Sequence, residues 1–455
     1  MSGHPFKGVI QVMRTLSRSM FVMSNCIALT TLAQTASSQP AASLTSGPAL
    51  LTKWNTTLYG FVEMDAISDW TQSFNETAGN AAISRPGTYP GEHRRMMFAV
   101  RNSRIGFRIN APEVAGIRTS AVVEADFMGN QPPNATEAQF FTNPGFRVRH
   151  AYFKMETEYV DILIGQYWAL LGFQPIFDPN TVELQGVPAQ IYSRTPQIRV
   201  SHLFKAQPVS VEVAAAALRP PQRDSGWPDG QAGLRLIYDA WKGVHTIGST
   251  GTTVDALSLG LSGALRGFTL PEFTATPVNS VSTTSTAYSI DLLLPIFPGT
   301  LQQRGGALTV NASFSNGSGF ADQFTGLTGG VGFPTLPPPA TYTPNIDVGT
   351  AVFAADGTLH TVDWRGFIVG AQYYLPPDGR FWISSNYSQL YSANAASFGP
   401  ANRVFNHSWW ADGNLFVDLT PALRFGLEYA YFSQTYVDRV VASNHRVQFS
   451  GFFLF

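Results

Sequence analysis

The sequence is poor in cysteine and in charge. Cys26 is the only cysteine in 455 residues, which excludes a disulfide within the chain and a cysteine-based zinc site. Charged residues make up 13% of the chain and the formal net charge is −1, whereas soluble domains carry about 25% charged residues. A soluble surface on a chain this long needs more charge than that. The balance of sign also lacks the basic excess of a nucleic-acid binder, so no nucleic-acid partner is expected. No run of 18 consecutive apolar residues occurs beyond the N-terminus, which argues against a helical membrane protein. There is no P-loop, dinucleotide fingerprint or His-Glu-x-x-His run, and the eight histidines are scattered, so no metal or cofactor is expected. What is abundant is apolar: aromatics are 13% and hydrophobics 44%, too much for a chain that stays unfolded.

The N-terminus has the pattern of an export signal. Lys7, Arg14 and Arg18 precede an apolar run from Met20 to Leu32, and Thr31-Leu32-Ala33 places small residues at −3 and −1 of a cleavage site. Residues 1–33 are read as a signal peptide, with Met1 or Met13 as the start. Residues 34–53, rich in Ser, Ala, Thr and Pro, read as a flexible leader. Residues 54–455 then form one domain.

That domain alternates with period 2, so successive side chains face opposite sides of a sheet. Ile117, Thr119, Ala121, Val123, Ala125 and Phe127 share one face, and Arg118, Ser120, Val122, Glu124 and Asp126 the other. Ile105, Phe107 and Ile109 oppose Arg104, Gly106 and Arg108, and Leu423, Phe425, Leu427, Tyr429 and Tyr431 oppose Arg424, Gly426 and Glu428. Short connections near 110–115, 156–159, 206–208, 376–379 and 420–422 alternate with long ones near 70–95, 128–145, 169–189, 219–231, 268–286 and 317–356. The last of these is too rich in Gly, Pro and Thr for a strand. This is the plan of an all-β, closed, antiparallel transmembrane barrel of about 16 strands, greasy outside and wet within. The stretch 243–305 is the least regular. Tyr59, Tyr152, Tyr167, Trp168, Tyr238, Trp241, Tyr374 and Tyr391 are candidates for interfacial girdles. The chain ends on an apolar strand in which Val447, Phe449, Gly451, Phe453 and Phe455 share a face, an unusual ending for a soluble protein.

Several segments resemble bacterial outer-membrane porins. Leu58-Tyr59-Gly60-Phe61-Val62-Glu63-Met64-Asp65, Ser103-Arg104-Ile105-Gly106-Phe107, Arg149-His150-Ala151-Tyr152 and Gly165-Gln166-Tyr167-Trp168 follow one another as in trimeric porins, and in particular the DcaP-like porins. The terminal strand looks like the signal read by the barrel-assembly machinery, with Phe455 and Phe453 as its recognised residues. One departure is that residues 34–53 have no heptads and contain Pro40 and Pro48, where that subfamily carries a coiled-coil extension. The resemblance implies a homotrimer in outer-membrane lipid, a third long loop folded into each lumen, and passage of small hydrophilic solutes, with dicarboxylates as the anions of the DcaP-like branch. The third loop falls at about Leu170–Ala189 and carries Asp178 and Glu183.

Alternation places Arg104, Arg108 and Arg118 on the wet face, and Arg199 as well if Ile198 and Val200 face lipid. Arg147 and Arg149 share a face with Ala151 and Phe153, which leaves their direction open. Arg194 precedes Pro196 closely enough for a bulge to turn it either way. Glu63, Asp65, Glu124 and Asp126 are the opposing lumen acids. A guanidinium ladder would favour small anionic solutes; if each arginine only pairs with a wall acid, the channel is non-selective. Other expectations for a barrel are an adhesin or a lipase-like enzyme. For the enzyme, the adjacent pairs Ser201–His202 and His407–Ser408 point to opposite faces of a strand and do not form a dyad.

Overall fold

The computed structural model describes residues 54–78, 82–130, 145–182, 188–222, 225–324, 328–336, 338–339 and 344–455. The expected export signal and leader, and Glu183, lie outside the described residues.

Residues Asn55–Phe455 form one unit. Its strands are β1 (Asn55–Asp69), β2 in two pieces (Arg95–Ala99 and Arg104–Asn110), β3 (Arg118–Gly129), β4 (Gly145–Glu156) and β5 (Asp161–Trp168). Then come β6 (Arg194–Ala206), β7 (Val209–Leu218), β8 (Asp229–Ile247), β9 (Gly251–Pro271), β10 (Ser280–Phe297) and β11 (Leu308–Ser318). The last five are β12 (Asp363–Tyr374), β13 (Phe381–Tyr391), β14 (Phe405–Thr420), β15 (Leu423–Tyr436) and β16 (Val441–Leu454). Each pairs antiparallel with its neighbour in sequence. The circle closes because β1 also pairs with β16, from Phe61 opposite Leu454 to Asp69 opposite Arg446. Phe455 completes the seam: its N–H donates to the Gly60 carbonyl at 3.1 Å and its own carbonyl accepts from Gly60 N–H at 2.9 Å.

The two faces sort as the alternation predicts. Val62, Met64, Phe107, Val123, Phe153, Ile198, Leu427 and Phe449 all point outward and are more than 40% exposed. Their intervening neighbours Glu63, Asp65, Glu124, Gln197, Glu428 and Gln448 are buried inside. An apolar surface wrapped all round a closed ring of strands is a membrane-spanning wall, because only closure satisfies every backbone N–H and C=O in lipid.

Two details differ from the expectation drawn from sequence. The expected long loop at 268–286 is an eight-residue connection, 272–279, because β9 and β10 run on through the Ser/Thr-rich stretch. The region 317–356 contains a short strand after all, Ala351–Phe353, paired with Leu359–Thr361. The long loops also pack on one another: Phe74, Ile83, Phe320, Phe324, Val352 and Phe398 join wall residues Trp364, Trp410 and Phe432 in one buried cluster.

Candidate permeation pathway

The connection between β5 and β6 folds inward, as expected for the third loop. Its first turn, Leu171–Phe173, is held by wall side chains: Gln231 accepts from the N–H groups of Leu170 and Leu171 at 2.8 and 2.9 Å, and Ser262 from Gly172 N–H at 2.8 Å. Phe173 and Phe177 are buried against Ala214, Ala216, Leu218 and Leu293. The wall makes room with glycine: a Cβ on Gly233 would lie 2.6 Å from the Phe173 ring, and one on Gly260 2.8 Å from the Phe177 ring. The loop then crosses to the far wall. Asn386 Nδ2 donates to Asn180 O at 2.7 Å, Val182 N–H donates to Asn414 Oδ1 at 2.9 Å and to Glu428 Oε2 at 3.0 Å, and Ala189 N–H donates to Ser388 Oγ at 3.0 Å. The loop thus leaves the wall it came from and lies against β7–β15.

What it leaves open is a cavity of about 370 Å³ between itself and the wall of β2–β5. Arg104, Arg108, Glu124, Arg149 and His150 line the wall side. Pro175, Asp178, Pro179, Gln190 and Tyr192 line the loop side, and the turn Ile247–Gly251 completes the rim.

The arginine wall depends on one irregularity in β4. Glu124 pairs with His150, yet Ala125 pairs with Val148, so Arg149 is an extra residue in the ladder. A bulge of this kind flips the facing of everything beyond it. Phe146 and Val148 point out on one side of it and Ala151 and Phe153 point out on the other, while Arg147, Arg149 and His150 all point in. Arg147 and Arg149 therefore do not share the face of Ala151 and Phe153, as unbroken alternation would place them. A strict alternation has no place for one inserted residue.

Arg149 is the electrostatic centre. Its Nε donates to Glu124 Oε1 at 2.7 Å, its Nη1 to Asp126 Oδ2 at 3.1 Å and its Nη2 to the Tyr192 hydroxyl at 3.2 Å. Arg147 grips Asp126 with two hydrogen bonds, at 2.9 and 2.6 Å. Arg104 lies 3.6 Å from Glu124 and over the Phe61 ring. Arg108 sits over Tyr59 at 5.5 Å and, among the described residues, has no carboxylate within ion-pair distance. Arg194 is stacked on Trp168 and Tyr192, at 4.9 and 5.1 Å, and its buried Nη1 has no hydrogen-bond partner among the described residues.

The loop groups respond to this setting. Burial, reinforced by Asp291 nearby, pushes the Asp178 carboxyl up to about 8, against the pull of Arg194 and Gln190. Burial resists ionisation of Tyr192 too, but Arg149, Arg194 and Arg104 outweigh it and the phenol falls to about 8. At neutral pH Asp178 is therefore mostly protonated, and among the described lining residues three guanidinium groups stand beside one wall carboxylate, Glu124.

Other expected lining residues fall elsewhere. Glu63 and Asp65 point inward but are buried in the wall, Glu63 bonded to Asn102 and Asp65 to Ser450 and Gln448. Arg199 faces inward, donating to Trp168 O at 2.6 Å and Gln197 Oε1 at 3.0 Å. Arg118 is exposed at the end of β3, away from the opening. Arg101 is buried against Glu76 and the carbonyls of Phe127 and Gly129. Of the candidate girdle residues, Tyr238, Trp241 and Tyr391 are exposed on the outer face, but Trp168 and Tyr374 are buried in the interior. Among the described residues no group of three or more His, Cys, Asp or Glu is placed to hold a metal.

No family model matches this sequence, and no curated protein matches it in sequence. Solved structures do match in shape. The chain is similar to the outer membrane channel DcaP of Acinetobacter baumannii, with a TM-score of 0.63 at 15% identity, over 89% of this chain and 98% of that one. This is the porin fold. A second porin, described as an anion-selective porin from Comamonas acidovorans, matches with a TM-score of 0.51 at 11% identity, over 88% of this chain and all of that one, 100%. At such identities the porin fold is shared while the side chains of the opening are this chain's own, so selectivity has to be argued from them.

Proposed function

We propose that this chain is a passive channel of the bacterial outer membrane for small hydrophilic solutes, and that it favours anions. The observation that carries this reading is the opening between the third loop and β2–β5, where, among the described lining residues, Arg104, Arg108 and Arg149 meet one wall carboxylate, Glu124, and the Asp178 carboxyl of the loop. Arg147 and Arg149 hold carboxylates at 2.6–3.1 Å and serve mainly to hold the wall, while Arg104 stands 3.6 Å from Glu124, so the selectivity rests above all on Arg108, with Arg104 beside it. A fixed positive field in a narrow aqueous opening raises the local anion concentration and repels cations. Guanidinium forks at two points along the inner face of β2 suit carboxylate groups, which supports organic anions such as dicarboxylates as the preferred class. Homotrimeric assembly and recognition of Phe453 and Phe455 by the assembly machinery are part of the proposal, on the resemblance to trimeric porins; the outward face of both side chains leaves them open to contact. The deciding experiment is the reversal potential of the purified protein in planar bilayers under a salt gradient. A potential of the anion-preferring sign is expected, and a cation preference refutes the reading.

The same recordings have a pH signature. Asp178 and Tyr192 both lose a proton near pH 8, and each loss adds a negative charge to the opening. Anion preference is expected to decline between about pH 7 and 9. Asp178→Asn combined with Tyr192→Phe removes that decline.

A further inference from the structure

The connection between β8 and β9 is not an ordinary turn. The two strands pair in register up to Tyr238 opposite Leu257, and pairing resumes only at Lys242 opposite Ala256. Three extra residues, Asp239, Ala240 and Trp241, sit at that break, and the Trp241 indole N–H donates to Pro295 O at 2.5 Å. Beyond the break the hairpin leaves the wall. Gly243 through Thr246 are buried on both faces, although a strand in a barrel wall has one side towards lipid. Val244 packs with Tyr374, Trp382 and Phe416, which belong to β12, β13 and β14 on a distant part of the wall. The tip is tied along the way. Thr309 Oγ1 donates to Val244 O at 2.7 Å, Thr246 exchanges two hydrogen bonds with Gln372 at 2.8 and 2.9 Å, and Arg424 Nη1 donates to Ser249 O at 2.6 Å. It also touches the third loop, where Gly248 N–H donates to Pro179 O at 3.2 Å and Asn180 Nδ2 donates to Gly248 O.

We infer that the hairpin 242–256 is the second jaw of the constriction. It folds in from the end of the barrel that carries the short turns, meets the third loop at Pro179–Asn180, and bars the part of the lumen opposite the arginines. Solutes are thereby confined to the arginine side, and Ile247–Gly251 sets the width of the opening together with the loop. Length fits this assignment: β8 and β9 have 19 and 21 residues, where about 9–11 span a bilayer. Part of the excess, residues 242–247 and 251–256, is the reach across the lumen. The inference rests on the channel reading, and the test keeps the two apart.

Lys242 and Ala256 are cross-strand partners, so residues 243–255 can be deleted and the strands rejoined through a two-residue Asn-Gly turn. In planar bilayers the shortened protein is expected to show a single-channel conductance about twofold or more above the parent, with weaker anion preference, as a wider, less confined pore requires. A second variant leaves the hairpin intact: Thr250→Cys, in a Cys26→Ser background, treated with a bulky methanethiosulfonate. Because Thr250 lines the opening, current is expected to fall by about half or more; this variant decides the matter where the shortened chain does not fold. Unchanged conductance in a folded shortened barrel, or no effect of the bulky label, overturns the inference while leaving the channel reading in place. A silent parent with a conducting shortened form supports the second jaw, as a plug. Silence in both removes the channel reading and the inference with it.

Discussion

Arg104→Glu combined with Arg108→Glu is expected to reverse the ion preference of the opening. The double change moves four units of charge on a wall where, among the described residues lining the opening, Glu124 is the one wall carboxylate. A fixed charge about 8 Å from a passing monovalent ion in water is worth roughly 0.5 kcal/mol. Four together amount to about 2 kcal/mol before screening, more than tenfold in the relative permeability of anion and cation. The reversal potential in a salt gradient reads this directly. Arg104→Gln with Arg108→Gln is expected to give an intermediate value, which separates charge from shape. The effect should shrink as ionic strength rises, because Arg108 is exposed to the aqueous opening and not sealed in a core.

The second large effect is structural. Arg446 and Asp69 face each other across the β1–β16 seam, with both side chains fully buried. Two of the guanidinium nitrogens hold the two carboxylate oxygens at 2.9 and 2.8 Å. The same group donates to the carbonyls of Glu76 at 3.1 Å and Asn75 at 2.7 Å in the first long loop. Arg446→Ala strands a buried carboxylate and two carbonyls, and breaking a pair of this kind costs about 3–5 kcal/mol. The expected outcome is a clear drop in the temperature at which the folded barrel loses its compact gel mobility. Arg446→Lys is expected to recover only part of the loss, since an ammonium cannot reproduce the fork. If the alanine variant unfolds at the parent's temperature, the seam is not held this way.

Much of the wall could be read from the sequence because its governing signal is local. Side-chain facing in β2, β3 and β15 follows from a two-residue period, and Arg104, Arg108, Glu124 and Asp126 point inward as that period demands. The third loop was recognisable from its length and its place after Trp168. Three features were not legible, and they share a cause. The bulge at Arg149 is a single inserted residue whose neighbours, Val148 and His150, look like any strand. The inward hairpin 242–256 has the composition of a wall hairpin, and only contacts with strands more than 60 residues later, at Thr309 and Gln372, draw it across the lumen. The burial of Glu63 and Asp65 depends on Asn102, Gln448 and Ser450, partners from distant parts of the chain. Each is decided by long-range packing that no window of sequence contains.

The seam between the first and last strands also bears on how the molecule is made. Gln448 and Ser450 reach Asp65 across 383 and 385 positions of the chain, and Phe455 supplies the last backbone pair to Gly60. Such remote pairings form late and slowly. Until they form, the nascent sheet has two raw borders, each a template for a stray neighbour. The ring seals only when β16 is laid along β1 from Phe61 to Asp69, so loss of that strand leaves a molecule with an open flank and no way to hide it.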